Sequence, residues 1–204
     1  ERTEVDWYRL FYMYPSGITP ELVELMARSA GSGSGPRLVP YLDLPLQHGS
    51  DRMLQAMRRP ERRSTIRERG GWLRDAIPGL TLRTTVIVGF PGESEEDFDE
   101  LVDLLEEIRF DRVGAFTYSV EEGTRAAEME GHLPDSLKRE RLEALMDVQR
   151  GISLDRNLEQ VGSRVPVLVE RVVDDDPDAV AVGRTEGQAS DVDGVTHLVE
   201  LAGA

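Results

Sequence analysis

Residues 82–90 constrain the fold more than any other stretch of this chain. They are rich in β-branched side chains, and Pro91-Gly92 stops them. Such a strand is expected to be buried on both faces, as in a parallel sheet. Ser94 then caps a helix whose first turn carries Glu95, Glu96 and Asp97. Phe98, Leu101, Val102, Leu105 and Ile108 recur at the spacing of one helical face, which needs a sheet to cover it.

The same strand-then-helix unit repeats on either side. Residues 7–14 read as a buried strand that ends at Pro15-Ser16-Gly17. Thr19 caps the next helix, with Pro20 at its first position and Leu22, Val23, Leu25 and Met26 on its apolar side. A flexible Gly31-Ser32-Gly33-Ser34-Gly35 spacer leads to a second strand, residues 38–46. A short helix from Ser50-Asp51 turns Met53, Leu54 and Met57 inward, and a polar helix covers residues 64–77. A fourth strand runs over residues 112–119, and a long helix over residues 135–161 has Leu142, Leu145, Val148 and Ile152 on its apolar side. Strands alternating with helices predict a parallel sheet with right-handed crossovers. Ligands of such sheets bind at the carboxyl ends of the strands. That selects the loops at 15–19, 47–51, 89–94 and 119–124.

The texture changes after Gly162. Strands at 164–170, 179–183 and 195–201, with an acidic turn at 174–178, predict a small antiparallel β module. The expected domains are therefore 1–160 and 161–204.

Composition removes several function classes. The chain has 24 basic and 39 acidic residues, a formal charge of −15. Such a surface repels phosphate, so strong nucleic-acid binding is not expected. No run is long and apolar enough to span a bilayer, and residues 1–4 open on no secretory signal, so no membrane partner and a cytoplasmic setting are expected. With no cysteine, the chain offers no thiolate to zinc or to an iron–sulfur cluster.

Candidate ligand groups sit in the selected loops. Gln47, His48 and Ser50 can hydrogen-bond a polar cofactor, although Ser50 equally suits a helix cap. Gly89-Phe90-Pro91-Gly92-Glu93 lets a ligand approach the backbone, or is only a turn. Arg83, among β-branched neighbours, needs a carboxylate, from a cofactor or from Asp43.

Four segments carry a family resemblance. Tyr12-Met13-Tyr14-Pro15-Ser16-Gly17-Ile18-Thr19, residues 41–50, residues 83–93 and residues 116–124 resemble the radical-SAM methylthiotransferases in order and spacing. Glu121-Glu122-Gly123-Thr124 and Gly183-Arg184-Thr185-Glu186 with Asp191-Val192-Asp193-Gly194 resemble the RimO-type branch, which modifies an aspartate of a small-subunit ribosomal protein. The resemblance implies the last four βα units of a partial radical-SAM barrel, followed by an incomplete TRAM-like β module. It implies S-adenosylmethionine and 4Fe-4S clusters in the parent enzyme, with none held by this chain alone. The ribosomal protein is the implied substrate, and the electron donor stays unknown. Gln47, Ser50 and Arg83 would face the methionine part of the cofactor. Ile87 and Gly89 would pack its adenine, Thr85 would stand on the same strand, and Tyr118 would lie at the rim. No catalytic base is assigned. A fragment of a tRNA-modifying relative and a non-catalytic docking module are the alternatives.

Overall fold

The computed structural model describes residues 5–30, 37–173 and 178–199. Strands β1 (Trp7–Leu10), β2 (Arg37–Asp43), β3 (Thr81–Val88) and β4 (Arg112–Thr117) pair in that order, all parallel. Helices α1 (Pro20–Ala30), α2 (Asp51–Ala56), α3 (Arg63–Ala76) and α4 (Glu95–Ile108) fill the crossovers, and α5 (Asp135–Leu158) follows β4. Strands β5 (Val167–Val172), β6 (Ala181–Thr185) and β7 (Thr196–Leu198) form a separate antiparallel sheet. The α/β class expected from the sequence, four βα units and a small β module, is the one observed.

The two faces of the parallel sheet differ. Leu82, Thr84, Val86 and Val88 of β3 are buried, whereas Thr81, Arg83, Thr85 and Ile87 alternate with them half-buried. The expectation that β3 is buried on both faces is thereby corrected. Helices cover one face only: Leu42, Leu82, Val86 and Val88 share a core with Leu73 of α3, Leu101, Leu104 and Leu105 of α4, and Leu145 of α5. The other face is polar, as the inside of a barrel wall is, and Val39 and Tyr41 of β2 pack there against Ala189.

Other boundaries shift for local reasons. The aromatic run at 7–14 is a strand only to Leu10, because Tyr12 takes a left-handed φ of 54° and Phe11, Tyr12 and Tyr14 turn to solvent. Leu25 is exposed, so Val23 and Met26 form the buried stripe of α1. On α5 the buried stripe includes Lys138, Arg141 and Gln149 beside Leu145 and Ile152. The module's first strand starts at Val167 rather than 164, and its second is shifted to Ala181–Thr185. The glycine-serine spacer, most of the acidic turn and the end of the last expected strand lie outside the described residues. No described helix is long and apolar enough to cross a membrane.

Candidate functional site

Gln47 is fixed at the carboxyl end of β3 by its own backbone. Its N–H donates to the Thr85 carbonyl at 2.9 Å and its carbonyl accepts from the Ile87 N–H at 2.8 Å, a one-residue bridge opposite Val86. This requires a φ of 76°, an uncommon conformation for a residue with a side chain. Gln47 consequently lines two adjoining grooves. One, of about 200 Å³, is lined by Tyr12, Met13, Tyr14, Pro45, Gln47, Arg59 and Thr85. The other, of about 370 Å³, draws on Ala56, Met57, Arg58 and Arg59 after α2, on Ile87 and Phe90 after β3, and on Arg125, Ala126 and Met129. The structure thus brings Gln47, Thr85 and Ile87 together on the open face of the sheet.

Arg83 lies two residues further down that face and is already engaged. It donates to Asp43 Oδ1 at 2.9 Å and to Thr85 Oγ1 at 3.1 Å, and its Nε is 3.5 Å from Asp193 Oδ1. Burial pulls its pKa down, but the hydrogen bond and charge of Asp43 outweigh this and raise it. Of the two partners considered from the sequence, Asp43 is the one observed. Asp193, from the β module, is a second partner that the sequence did not suggest. Asp43 also accepts from the Tyr12 N–H at 3.3 Å, which ties Arg83 to the wall of the smaller groove.

Ser50 and Gly89 sit behind the grooves. Ser50 is the N-cap of α2, is buried, and donates to Asp97 Oδ1 at 2.7 Å. His48 is fully buried: Nδ1 accepts from the Ser50 N–H at 3.0 Å, which leaves the proton on Nε2 facing Glu93 Oε2 at 3.2 Å. Glu93 also accepts from the Gly89 N–H at 2.8 Å and from Arg141 at 2.6 Å. Gly89 has a φ of 76°, and a Cβ there would meet the Lys138 stem at 2.5 Å. Its glycine is demanded by this packing, and Lys138 covers its open side. Asp97 completes the set: burial raises its pKa, but bonds from Arg52, Ser94 and Ser50 prevail and hold it far below the ordinary carboxylate range. Tyr118 packs edge-on against Phe90 at 5.3 Å, lies under Lys138 Nζ at 5.7 Å, and has a buried hydroxyl without a hydrogen-bond partner.

The arginines of the rim were not foreseen. Arg59 lies over the Tyr14 ring at 5.4 Å and separates the two grooves. Arg58 occupies the left-handed position that terminates α2, φ 58°, with its N–H on the Gln55 carbonyl at 3.0 Å and the Arg59 N–H on Leu54 at 2.7 Å. Glycine is the ordinary residue there, and any other costs about 1 kcal/mol. Arg58-Arg59 after a helix end, opposite a strand-to-helix loop, was the signal available in the sequence. Among the described residues no group of three or more His, Cys, Asp or Glu is placed to hold a metal.

Residues 4–105 match the model of the radical SAM superfamily. The ribosomal protein uS12 methylthiotransferase RimO of Desulforudis audaxviator (strain MP104C) is 52% identical over 95% of this chain and 41% of its own length. The protein of that name from Pelotomaculum thermopropionicum is 48% identical over 92% of this chain and 41% of its own, and that from Anaeromyxobacter sp. (strain K) is 46% identical over 95% and 40%. The chain therefore spans about two fifths of the length of the curated relatives it matches. Coproporphyrinogen III oxidase HemN from Escherichia coli, a radical SAM enzyme, superposes with a TM-score of 0.56 over 71% of this chain and 32% of its own, at 15% identity, which is a likeness of fold. The chain belongs to the radical SAM superfamily, and the relatives it resembles within that superfamily are RimO-type methylthiotransferases.

Proposed function

We propose that this chain supplies the cofactor-facing sheet and part of the β module of a radical-SAM methylthiotransferase that adds a methylthio group to the β-carbon of an aspartate in ribosomal protein uS12. The observation that carries the reading is the convergence of Gln47, Thr85 and Ile87 on two adjoining grooves at the carboxyl ends of β2 and β3. The donor set fits S-adenosylmethionine. The Gln47 amide and Thr85 hydroxyl suit its polar groups, and Ile87, Met57 and Phe90 suit a purine face. It does not fit an iron–sulfur cluster, since the sequence contains no cysteine. Cluster thiolates must come from residues other than these 204, and no step is assigned to the cluster on this chain. When bound and reduced in the complete enzyme, the cofactor supplies the hydrogen-abstracting radical. The part of this chain is to bind and orient. Gln47 and Thr85 hold polar atoms at the rim, and the Asp43–Arg83 pair holds the wall at Tyr12. The buried His48–Glu93 pair keeps the 47–50 and 89–93 loops in register. In this reading the protein works in the cytoplasm.

The test is to join this chain to a segment that carries a cluster-binding C-x-x-x-C-x-x-C loop, load the cluster, and add uS12. The expected result is 5′-deoxyadenosine together with a mass gain of one methylthio group on an aspartate. Adenosyl cleavage with unmodified uS12 would refute the substrate. A loaded cluster without cleavage would refute the radical chemistry of this sheet.

A further inference from the structure

Resting on that reading, we infer that Asp193 of the β module is a positioning residue for the smaller cofactor groove, acting through Arg83 on Thr85 and on the Tyr12 wall. The contacts form one path. Asp193 Oδ2 accepts from the Tyr41 hydroxyl at 2.5 Å and from the Ala189 N–H at 2.9 Å, which fixes the carboxylate against the open face of the sheet. Its Oδ1 then lies 3.5 Å from Arg83 Nε. Arg83 Nη1 donates to Asp43 Oδ1 at 2.9 Å and to Thr85 Oγ1 at 3.1 Å, and Asp43 Oδ2 accepts from the Tyr12 N–H at 3.3 Å. Thr85 and Tyr12 both line the groove. The bond from Arg83 occupies an acceptor site of the Thr85 hydroxyl, so the groove meets Thr85 as a donor, which suits an oxygen of the cofactor. Arg83 is a long side chain with a rotatable stem, and two carboxylates set its orientation. Asp43 comes from the neighbouring strand and Asp193 from the other sheet, and their side chains are only 1% and 3% exposed. Charges so enclosed are little screened by salt or water. Gly114 of β4 closes the remaining side: a Cβ there would lie 3.1 Å from Arg83 Nη2 and 3.6 Å from Thr85 Oγ1. The guanidinium thus has one snug seat, and the module supplies part of it.

The experiment records proton–nitrogen NMR spectra of this chain and reads the Tyr12 amide and the Arg83 Nε–H. Asp193→Asn is expected to move both signals. Glu186→Gln weakens the same docking segment at its pair with Arg37, and as the control it is expected to move neither. Gly114→Ala crowds Arg83 Nη2 from β4 and is expected to move the Tyr12 amide as Asp193→Asn does. In an Arg83→Gln background, Asp193→Asn is expected to leave the Tyr12 amide in place, because the path is already cut. A Tyr12 amide that ignores Asp193→Asn, or that answers Glu186→Gln equally, overturns the inference, and so does a response that persists without Arg83. The second readout uses the joined, cluster-loaded enzyme: Asp193→Asn is expected to raise KM for S-adenosylmethionine about fivefold and to leave kcat within about twofold. A lowered kcat at unchanged KM would place the effect in the chemical step and overturn the positioning role. An unaltered joined enzyme that cleaves no cofactor would refute the functional reading instead, and the Tyr12 comparison would still decide the path on this chain alone.

Discussion

The Glu93 carboxylate meets a histidine, a backbone N–H and a guanidinium in a space with no access to water. Burial alone would push its pKa up; the bonds from His48, Gly89 and Arg141 prevail and hold it below the ordinary carboxylate value. A depressed folded pKa stabilises the fold above the unfolded pKa, and that contribution disappears as pH falls through the folded value. Glu93→Gln leaves the Arg141 guanidinium, with a side chain 6% exposed, facing a neutral amide and with only the exposed Glu95 as a carboxylate partner. The expected loss is about 3 kcal/mol at neutral pH, read as a lower urea midpoint. The deficit of the variant should shrink as pH falls below about 4. Parallel stability profiles for variant and wild type down to acid pH would contradict this account. None of it was legible in the sequence, because His48 and Arg141 lie 45 and 48 residues from Glu93 and no local pattern links them. Gln47 was legible, because a polar residue just past a strand in a parallel sheet has little choice but the rim.

Among the elements, α4 was the most readable and α2 the least. Ser94 and Asp97 form a reciprocal capping box, so the start of α4 is written in four consecutive residues. The end of α2 depends on one left-handed residue that the sequence does not mark, because it is arginine rather than glycine. Arg58→Gly is expected to stabilise the chain by up to about 1 kcal/mol, measured by chemical unfolding. A substitution that destabilised the chain would mean that the arginine is retained for packing. The polar stripe of α5 was hidden for a related reason. A period-based reading counts apolar residues, whereas Lys138 is buried because its stem lies over Gly89, and Arg141 and Gln149 because their ends reach Glu93 and the Phe110 carbonyl.

For the whole molecule, the class and element order followed from alternation of strand and helix, but the docking of the module on the sheet did not. That docking runs through residues 186–193. Glu186 takes Arg37 Nε at 2.9 Å, Ala189 packs on Val39 and Tyr41, and Asp193 accepts from the Tyr41 hydroxyl at 2.5 Å. Burial and the Asp193 bond raise the Tyr41 pKa, so the phenol stays a donor at any physiological pH. Asp193→Asn is expected to speed amide hydrogen exchange in β6 and β7 several-fold while leaving β2 and β3 unchanged. Equal acceleration in both sheets would show that module and sheet open as one unit. Stiffness is also distributed unequally around the rim. On one side, buried charges lock the loops at 47–50 and 89–93 to α4 and α5. On the other, residues 119–133 are largely exposed and are held mainly by their own turns, apart from one backbone bond from the Gly92 N–H to the Gly131 carbonyl. Whatever enters the groove therefore meets a fixed bed beneath and a pliable flank above. The work of fitting the chamber to its occupant falls to that flank, which carries Arg125.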